Sequence, residues 1–247
     1  MAGSPGRRSI SPTSSRAHLP EDRARRLLYG RHKGHKLRPR QAGLLETLLP
    51  RLALPLDGPC PADPRALFPA PVEAVHLEIG FGGGEHLGFR ADENRDVGFI
   101  GCEPFVNGVA KLLVEIEERG LDNIRVHDDD ARQVIDWLPA GSLDCVWLLY
   151  PDPWPKRRHR KRRFLSGGNL DALARVMKCG AELRFATDID DYADRSLRLL
   201  AKRDDFVWTA ERGDDWRNPW QPWPGTRYEE KAVKAGRFPC YLTFRRV

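Results

Sequence analysis

The stretch LLYPDPWPKRRHRKRRF, from Leu148 to Phe164, sets an acid between two prolines, an aromatic ring beside it and a run of cations directly after. Pro151 and Pro153 restrict the backbone on both sides of Asp152, so its carboxylate is presented rigidly. Trp154 offers a face on which a base can stack, and the octet from Lys156 to Arg163 can hold phosphates. Acid, ring and cations in this order suit chemistry on a nucleobase.

Upstream, EIGFGGGEH from Glu78 to His86 places glycines at 80, 82, 83 and 84, which allow a tight turn and a close backbone approach to a ligand. The dinucleotide fingerprint G-x-G-x-x-G, laid from Gly80, needs glycine at 85 and meets Glu85. Glu78 and Glu85 would flank a pyrophosphate with like charge. S-adenosylmethionine instead offers a sulfonium and an ammonium, which favour a nearby acid, so the loop fits the methyl donor better. The segment GCEP then places Glu103 twenty-five residues after Glu78, about where an α/β nucleotide site sets a carboxylate on the ribose hydroxyls. In the following HDDDA, any of Asp128, Asp129 or Asp130 can accept from an adenine amino group.

These loops converge only if the elements between them align. After Pro71, strand-like apolar runs (74–79, 97–102, 123–127, 143–150, 182–186, 207–209 and 241–245) alternate with helical patterns (85–93, 105–119, 132–137, 164–178 and 192–202). Alternation of this kind predicts an α/β fold, a doubly wound, mostly parallel seven-stranded sheet with ligands at the carboxyl ends of its strands. The expected organisation is a disordered tail over 1–25, a basic arm and linker over 26–70, and the catalytic domain over 71–247. The tail is rich in Ser, Pro and Arg and has no periodic apolar face; its composition also resembles an organellar transit peptide.

Charge is unevenly placed. Residues 1–43 carry eleven Lys or Arg and only Glu21 and Asp22 as acids, a balance of +9 within a chain total of +6. The octet adds +7, so two basic concentrations sit on an acidic body. That separation points to a polyanion met at particular surfaces, against the plainer reading of solvated charge or a localisation signal. Five cysteines without a Cys-x-x-Cys pair fit neither a disulfide framework nor a zinc ribbon. His32 and His35, the one close histidine pair, have no carboxylate or thiol beside them, so no metal site is expected. No apolar run reaches the roughly 20 residues of a membrane span.

PDPW followed by KRRHRKRR, together with EIGFGGG, GCEP, DDDA, RFATD and GTRYEE, resembles the tRNA (guanine-N7-)-methyltransferase family, whose members methylate a guanine of the tRNA variable loop. The similarity spans residues 74–247 and the arm GRHKGHKLRPRQ. It implies a Rossmann-like class I fold, S-adenosylmethionine as methyl donor without a metal, tRNA as partner, no membrane, no required protein partner, and a cytoplasmic location. By the same resemblance, Glu78, Gly80, Gly82, Glu103 and Asp130 bind the donor, and Asp152 is the catalytic or guanine-positioning acid. Lys156, Asp188, Thr226, Arg227, Tyr228 and Glu229 would contact substrate. The last motif reads TRYE where bacterial members usually carry TKFE.

Guanine N7 already has a lone pair and no proton, so attack on a sulfonium methyl needs alignment more than a base. Methylation leaves the purine cationic, and a nearby carboxylate stabilises that charge. Asp152, with Asp188 or Glu229, is expected to orient guanine through its N1–H and N2–H. Two other classes remain open at this level: a methyltransferase acting on an exocyclic amine, since PDPW is distantly like Asp-Pro-Pro-Tyr, and a nonenzymatic RNA chaperone.

Overall fold

The computed structural model describes residue 32 and residues 34–247. The expected tail over 1–25 lies outside the described residues. Seven strands, β1 (Ala74–Ile79), β2 (Val97–Cys102), β3 (Ile124–His127), β4 (Leu143–Leu149), β5 (Met177–Thr187), β6 (Phe206–Trp208) and β7 (Cys240–Arg246), form one sheet in the order β3-β2-β1-β4-β5-β7-β6. The first five run parallel, and β7 is antiparallel to both β5 and β6. Strand order reverses between β1 and β4, where crossovers leave in opposite directions and a crevice opens at the carboxyl ends.

Register fixes what meets in that crevice. Ile79 lies opposite Cys102 on one side and Leu148 on the other. Gly80 and Glu103 therefore leave the sheet at the level of Leu149, the last residue of β4. On β4, Val146 and Leu148 face one layer while Cys145, Trp147 and Leu149 face the other, the two-residue period of a strand buried on both sides.

The helices cover the two faces. The helices α5 (Ala131–Trp137), α6 (Gly167–Val176) and α7 (Asp190–Leu200) bury Val134, Ile135, Leu170, Leu173 and Tyr192 in the larger core. The opposite face takes α1 (Pro39–Thr47), α2 (Leu49–Leu52), α3 (Glu85–Glu93) and α4 (Val106–Arg119). On α4 the apolar stripe is Val109, Ala110, Leu112, Leu113 and Ile116, and Gly120 at φ 59° ends the helix. Over β4 on this face, His86 and Arg90 of α3 pack on Trp147. Trp220 and Trp223, between α8 (Asp214–Arg217) and α9 (Arg227–Lys234), pack there on Trp147 and Tyr241.

One difference from the sequence reading has a physical cause. The helix expected to reach 178 stops at Val176, because Met177 pairs with Leu143 and begins β5, where Lys178 meets Asp144 at 2.8 Å. Sheet pairing overrides local helical period there. Within the segment read as arm and linker, α1 and α2 are ordered on the domain: Leu44 and Leu52 are buried against the α4 layer, and Arg40 bridges Glu117 and Glu118. Asn107 clamps the arm to the start of α4, its Oδ1 accepting from Gly34 N at 2.7 Å and its Nδ2 donating to His35 O at 2.7 Å.

Candidate active site

A cleft of about 530 Å³ opens at the carboxyl ends of β1 to β4. Its floor is the turn after β1, where Gly80, Gly82 and Gly84 stand at φ 73°, 60° and 86°, conformations that cost little only without a Cβ. Gly80 N donates to Cys102 O at 2.8 Å, extending the ladder one residue past the strand. Gly82 N donates to Glu103 Oε2 at 2.6 Å and Phe105 N to Glu103 Oε1 at 2.9 Å. Glu103, 8% exposed, thus ties the glycine turn to the entrance of α4. Burial raises its pKa, while the two backbone N–H groups pull it back down.

After β3, Asp129 and Asp130 both line the cleft. Asp130 is the N-cap of α5, accepting from Arg132 N at 3.0 Å and pairing with the Arg132 guanidinium. Asp129 accepts from Gln133 Nε2 at 3.1 Å. Glu78 does not line the cleft. Its Oε2 lies 2.7 Å from His86 Nδ1, both side chains buried, and the His86 ring packs 4.5 Å from Trp147 and 5.2 Å from Trp223.

The opposite wall is Tyr150, Pro151, Asp152 and Trp154. Tyr150 at φ 49° and Trp154 at φ 41° are left-handed without being glycine, so the Pro-Asp-Pro segment is strained at both ends. Each such residue costs on the order of 1–2 kcal/mol and persists only where its surroundings enforce it. The enforcing contacts are visible. Tyr150 N donates to Ala186 O at 2.8 Å, and Tyr150 OH donates to Tyr241 OH at 3.4 Å, which in turn donates to Glu229 Oε1. At the other end Arg163 Nε donates to Pro153 O at 2.8 Å, and Arg162 lies over the Trp154 ring at 4.9 Å. Asp152 is open at the rim, yet the surrounding walls desolvate it enough to raise its pKa.

The basic octet divides by role. Residues Arg157–Arg162 form a 3-10 helix, and Lys161, Arg162 and Arg163 reach the cleft. Arg163 is buried, bonded to the backbone O and Oδ2 of Asp191 and stacked 4.6 Å over Tyr192. Arg160 pairs with Asp191 at 2.7 Å. Arg157, Arg158 and Lys161 remain exposed, and Lys156 caps the 3-10 helix outside the cleft.

The third wall is α9. Arg227, Tyr228 and Lys231 line the cleft, with Arg227 Nε 3.8 Å from Glu85 and the Arg227 guanidinium over the Tyr228 ring. Thr226 and Glu229 point elsewhere and form the capping box of α9, while Glu229 Oε2 also accepts from Trp223 Nε1 at 2.7 Å. Asp188 sits after β5, off the cleft, paired with Arg237 at 2.6 Å.

Of the residues expected from sequence, Gly80, Gly82, Glu103, Asp130, Asp152, Arg227 and Tyr228 meet around one cleft. Glu78, Lys156, Asp188, Thr226 and Glu229 stand behind or beside it. Sequence reasoning passed over Tyr150, Phe105, Asn169 and Lys231, which also line it. Lys231 was accessible from the Thr-x-x-Glu capping signature, since a helix starting at Arg227 puts 228 and 231 on one face. Tyr150 had no such signal.

A family model described as that of a methyltransferase matches residues 72–240. The chain is 58% identical over 224 residues to the tRNA (guanine-N(7)-)-methyltransferase of Rhizobium meliloti (strain 1021), covering 91% of this chain and 97% of that one. It is 54% identical over 222 residues to the protein of that name from Agrobacterium fabrum (strain C58 / ATCC 33970), covering 90% and 96%. The chain belongs to the tRNA (guanine-N7-)-methyltransferase family. Among solved structures it is similar to the 16S rRNA methyltransferase KamB, with TM-score 0.53 and 16% identity over 71% of this chain and 89% of that one. Similarity at that identity shows the class I methyltransferase fold alone. No helix among the described residues is long and apolar enough to cross a membrane.

Proposed function

We propose that this cleft transfers a methyl group from S-adenosylmethionine to N7 of a guanine in the variable loop of tRNA. The observation that carries the reading is that Glu103, Asp130 and the glycine turn share a single cleft with Asp152 on its opposite wall and Tyr228 on its third.

The chemistry of the first side fits the donor. Left-handed glycines bring bare backbone to the cleft, and the carboxylates of Glu103, Asp129 and Asp130 suit ribose hydroxyls, an amino group and cationic charge. A pyrophosphate would meet those same acids as like charges. When bound, S-adenosylmethionine supplies an electrophilic methyl on its sulfonium. Glu103 would accept from the ribose with the lone pairs its backbone donors leave, and Asp129 or Asp130 would accept from adenine. Glu78 acts from behind the turn, fixing His86 at the head of α3.

On the other side, Asp152 orients guanine and stabilises the cation left on the purine, an electrostatic role that needs no proton transfer. Tyr228 offers a ring for the base, and Arg227 and Lys231 line the same wall. Arg157, Arg158 and Lys161 meet phosphates beyond the rim, in a cytoplasmic enzyme that works without an obligatory protein partner. Incubation with bulk tRNA and labelled donor, followed by mapping of the methylated nucleotide, tests the reading. Label at N7 of a variable-loop guanine is expected. Label on an adenine amine, or donor uptake without transfer, would overturn it.

A further inference from the structure

The surface beside the cleft carries a feature that extends beyond the residues assigned to methyl transfer. Among the described residues, half of the exposed large hydrophobic side chains, Tyr228, Val233 and Phe238, fall between positions 228 and 238. Phe238 is 88% exposed, which no packing requirement explains. Val207, Trp208 and Val247, the other exposed large hydrophobics, lie on or beside the edge strand β6 and its pairing partner β7.

On α9 the positions 228, 231 and 234 follow at three-residue spacing and share one stripe, so the cleft-lining Tyr228 and Lys231 continue outward to Lys234. The chain then turns through Gly236, at φ 70°, and presents Arg237 and Phe238 at the same end of the sheet. Arg237 is held by Asp188, whose position just past β5 fixes where the turn sits. The acids of this segment do not cancel its charge. Glu229 is turned inward to Trp223, Thr226 and Tyr241, while Glu230 approaches Lys234 only at 3.9 Å with both side chains exposed, a pair of little energy. An exposed aromatic ring following Lys231 and Lys234, and continuous with a nucleobase cleft, is the chemistry of a single-stranded RNA platform.

We infer that the strip from Tyr228 through Lys231 and Lys234 to Phe238 binds an unpaired nucleotide next to the target guanine, its base stacked on Phe238 and its phosphate against Lys234. The inference rests on the proposed function, since it assigns to this strip a second nucleotide of the same substrate. It also gives Asp188 a role that does not require contact with guanine: anchoring Arg237.

The test uses the full chain with bulk tRNA. Phe238→Ala should raise KM for tRNA about tenfold, within the range expected when a base–aromatic stack is removed, with kcat at saturating tRNA and the donor Kd unchanged. Phe238→Trp should keep the wild-type KM, which separates stacking from a folding defect. Benzoylphenylalanine placed at 238 should cross-link on irradiation to a nucleotide flanking the methylated guanine. An unchanged KM in Phe238→Ala, a cross-link to a remote nucleotide, or a cross-link to a second copy of the chain would overturn the inference while leaving the enzyme reading intact. Absence of N7-methylguanosine from the wild-type reaction would overturn both.

Discussion

The carbonyl oxygen of Gly82 stands 1.9 Å from the point where a Cβ on Gly108 would be placed. Helix α4 therefore approaches the glycine turn as closely as backbone permits, in the same place where Glu103 binds Gly82 N. Gly108→Ala must push that turn away, at a cost of roughly 1–3 kcal/mol of overpacking. Donor affinity should fall at least tenfold by calorimetry, together with a lower melting temperature. Unchanged donor binding would mean that the turn shifts without harm and is not the donor seat.

Removing the Glu103 carboxylate takes away the acceptor for one buried and one half-buried N–H group and, on the proposed reading, the ribose contact. Glu103→Ala should weaken the donor by about 1–3 kcal/mol. Equilibrium binding of labelled donor in the absence of tRNA measures this directly, and an unaltered Kd would remove Glu103 from the donor site.

Asp152 should act as its carboxylate, and desolvation by the surrounding walls raises its pKa above the ordinary aspartate value. Activity is therefore full above the raised pKa and declines as pH falls through it, so the acid limb of kcat should lie above about 3.9. Asp152→Asn should lower kcat by about 100- to 1000-fold, in line with loss of a preorganised electrostatic group, while donor affinity stays near wild type. A wild-type rate in this variant would end the assignment.

Glu229 reaches the cleft only through Tyr241 and Tyr150. Burial raises the pKa of both tyrosines, so their hydroxyls stay protonated as donors. Tyr241→Phe and Glu229→Gln should each lower kcat severalfold with little change in KM for tRNA, and the double variant should be no worse than the poorer single, the mark of one connected chain of hydrogen bonds. A large KM effect confined to Glu229→Gln would instead indicate direct contact with tRNA.

The octet contains two populations of cation. Replacing Arg157, Arg158 and Lys161 by Gln should reduce the slope of log affinity for tRNA against log salt by up to about 0.7–0.9 for each phosphate no longer neutralised. Arg163→Ala should act differently. It should cost about 2–4 kcal/mol of stability by stranding Pro153 O and Asp191, and leave the salt slope unchanged.

Local sequence determined much of this protein. Apolar runs bounded by turn residues set β1, β2 and α3 at the limits the structure shows, because a strand buried on both faces and a helix led by glycines leave few alternatives. The glycine turn and Glu103 directly follow such runs and Asp152 lies two residues past one, so the sequence could mark all three as candidates at strand ends. Tertiary structure decided what turns toward the cleft. Glu78 lies two residues before the glycine turn, yet its side chain points to His86, since alternation along β1 sends it to the face opposite that of the cleft-lining Ile79. Arg163 and Lys161 are near neighbours in one basic run, but the 3-10 turn buries the first under Pro153 and leaves the second at the rim. The strain at Tyr150 and Trp154 had no sequence signal at all. A left-handed residue outside glycine persists only where its surroundings enforce it: Tyr150 is held by Ala186 and Tyr241, which only the folded sheet brings beside it, and the Trp154 end by Arg162 and Arg163, which the 3-10 turn folds back onto it.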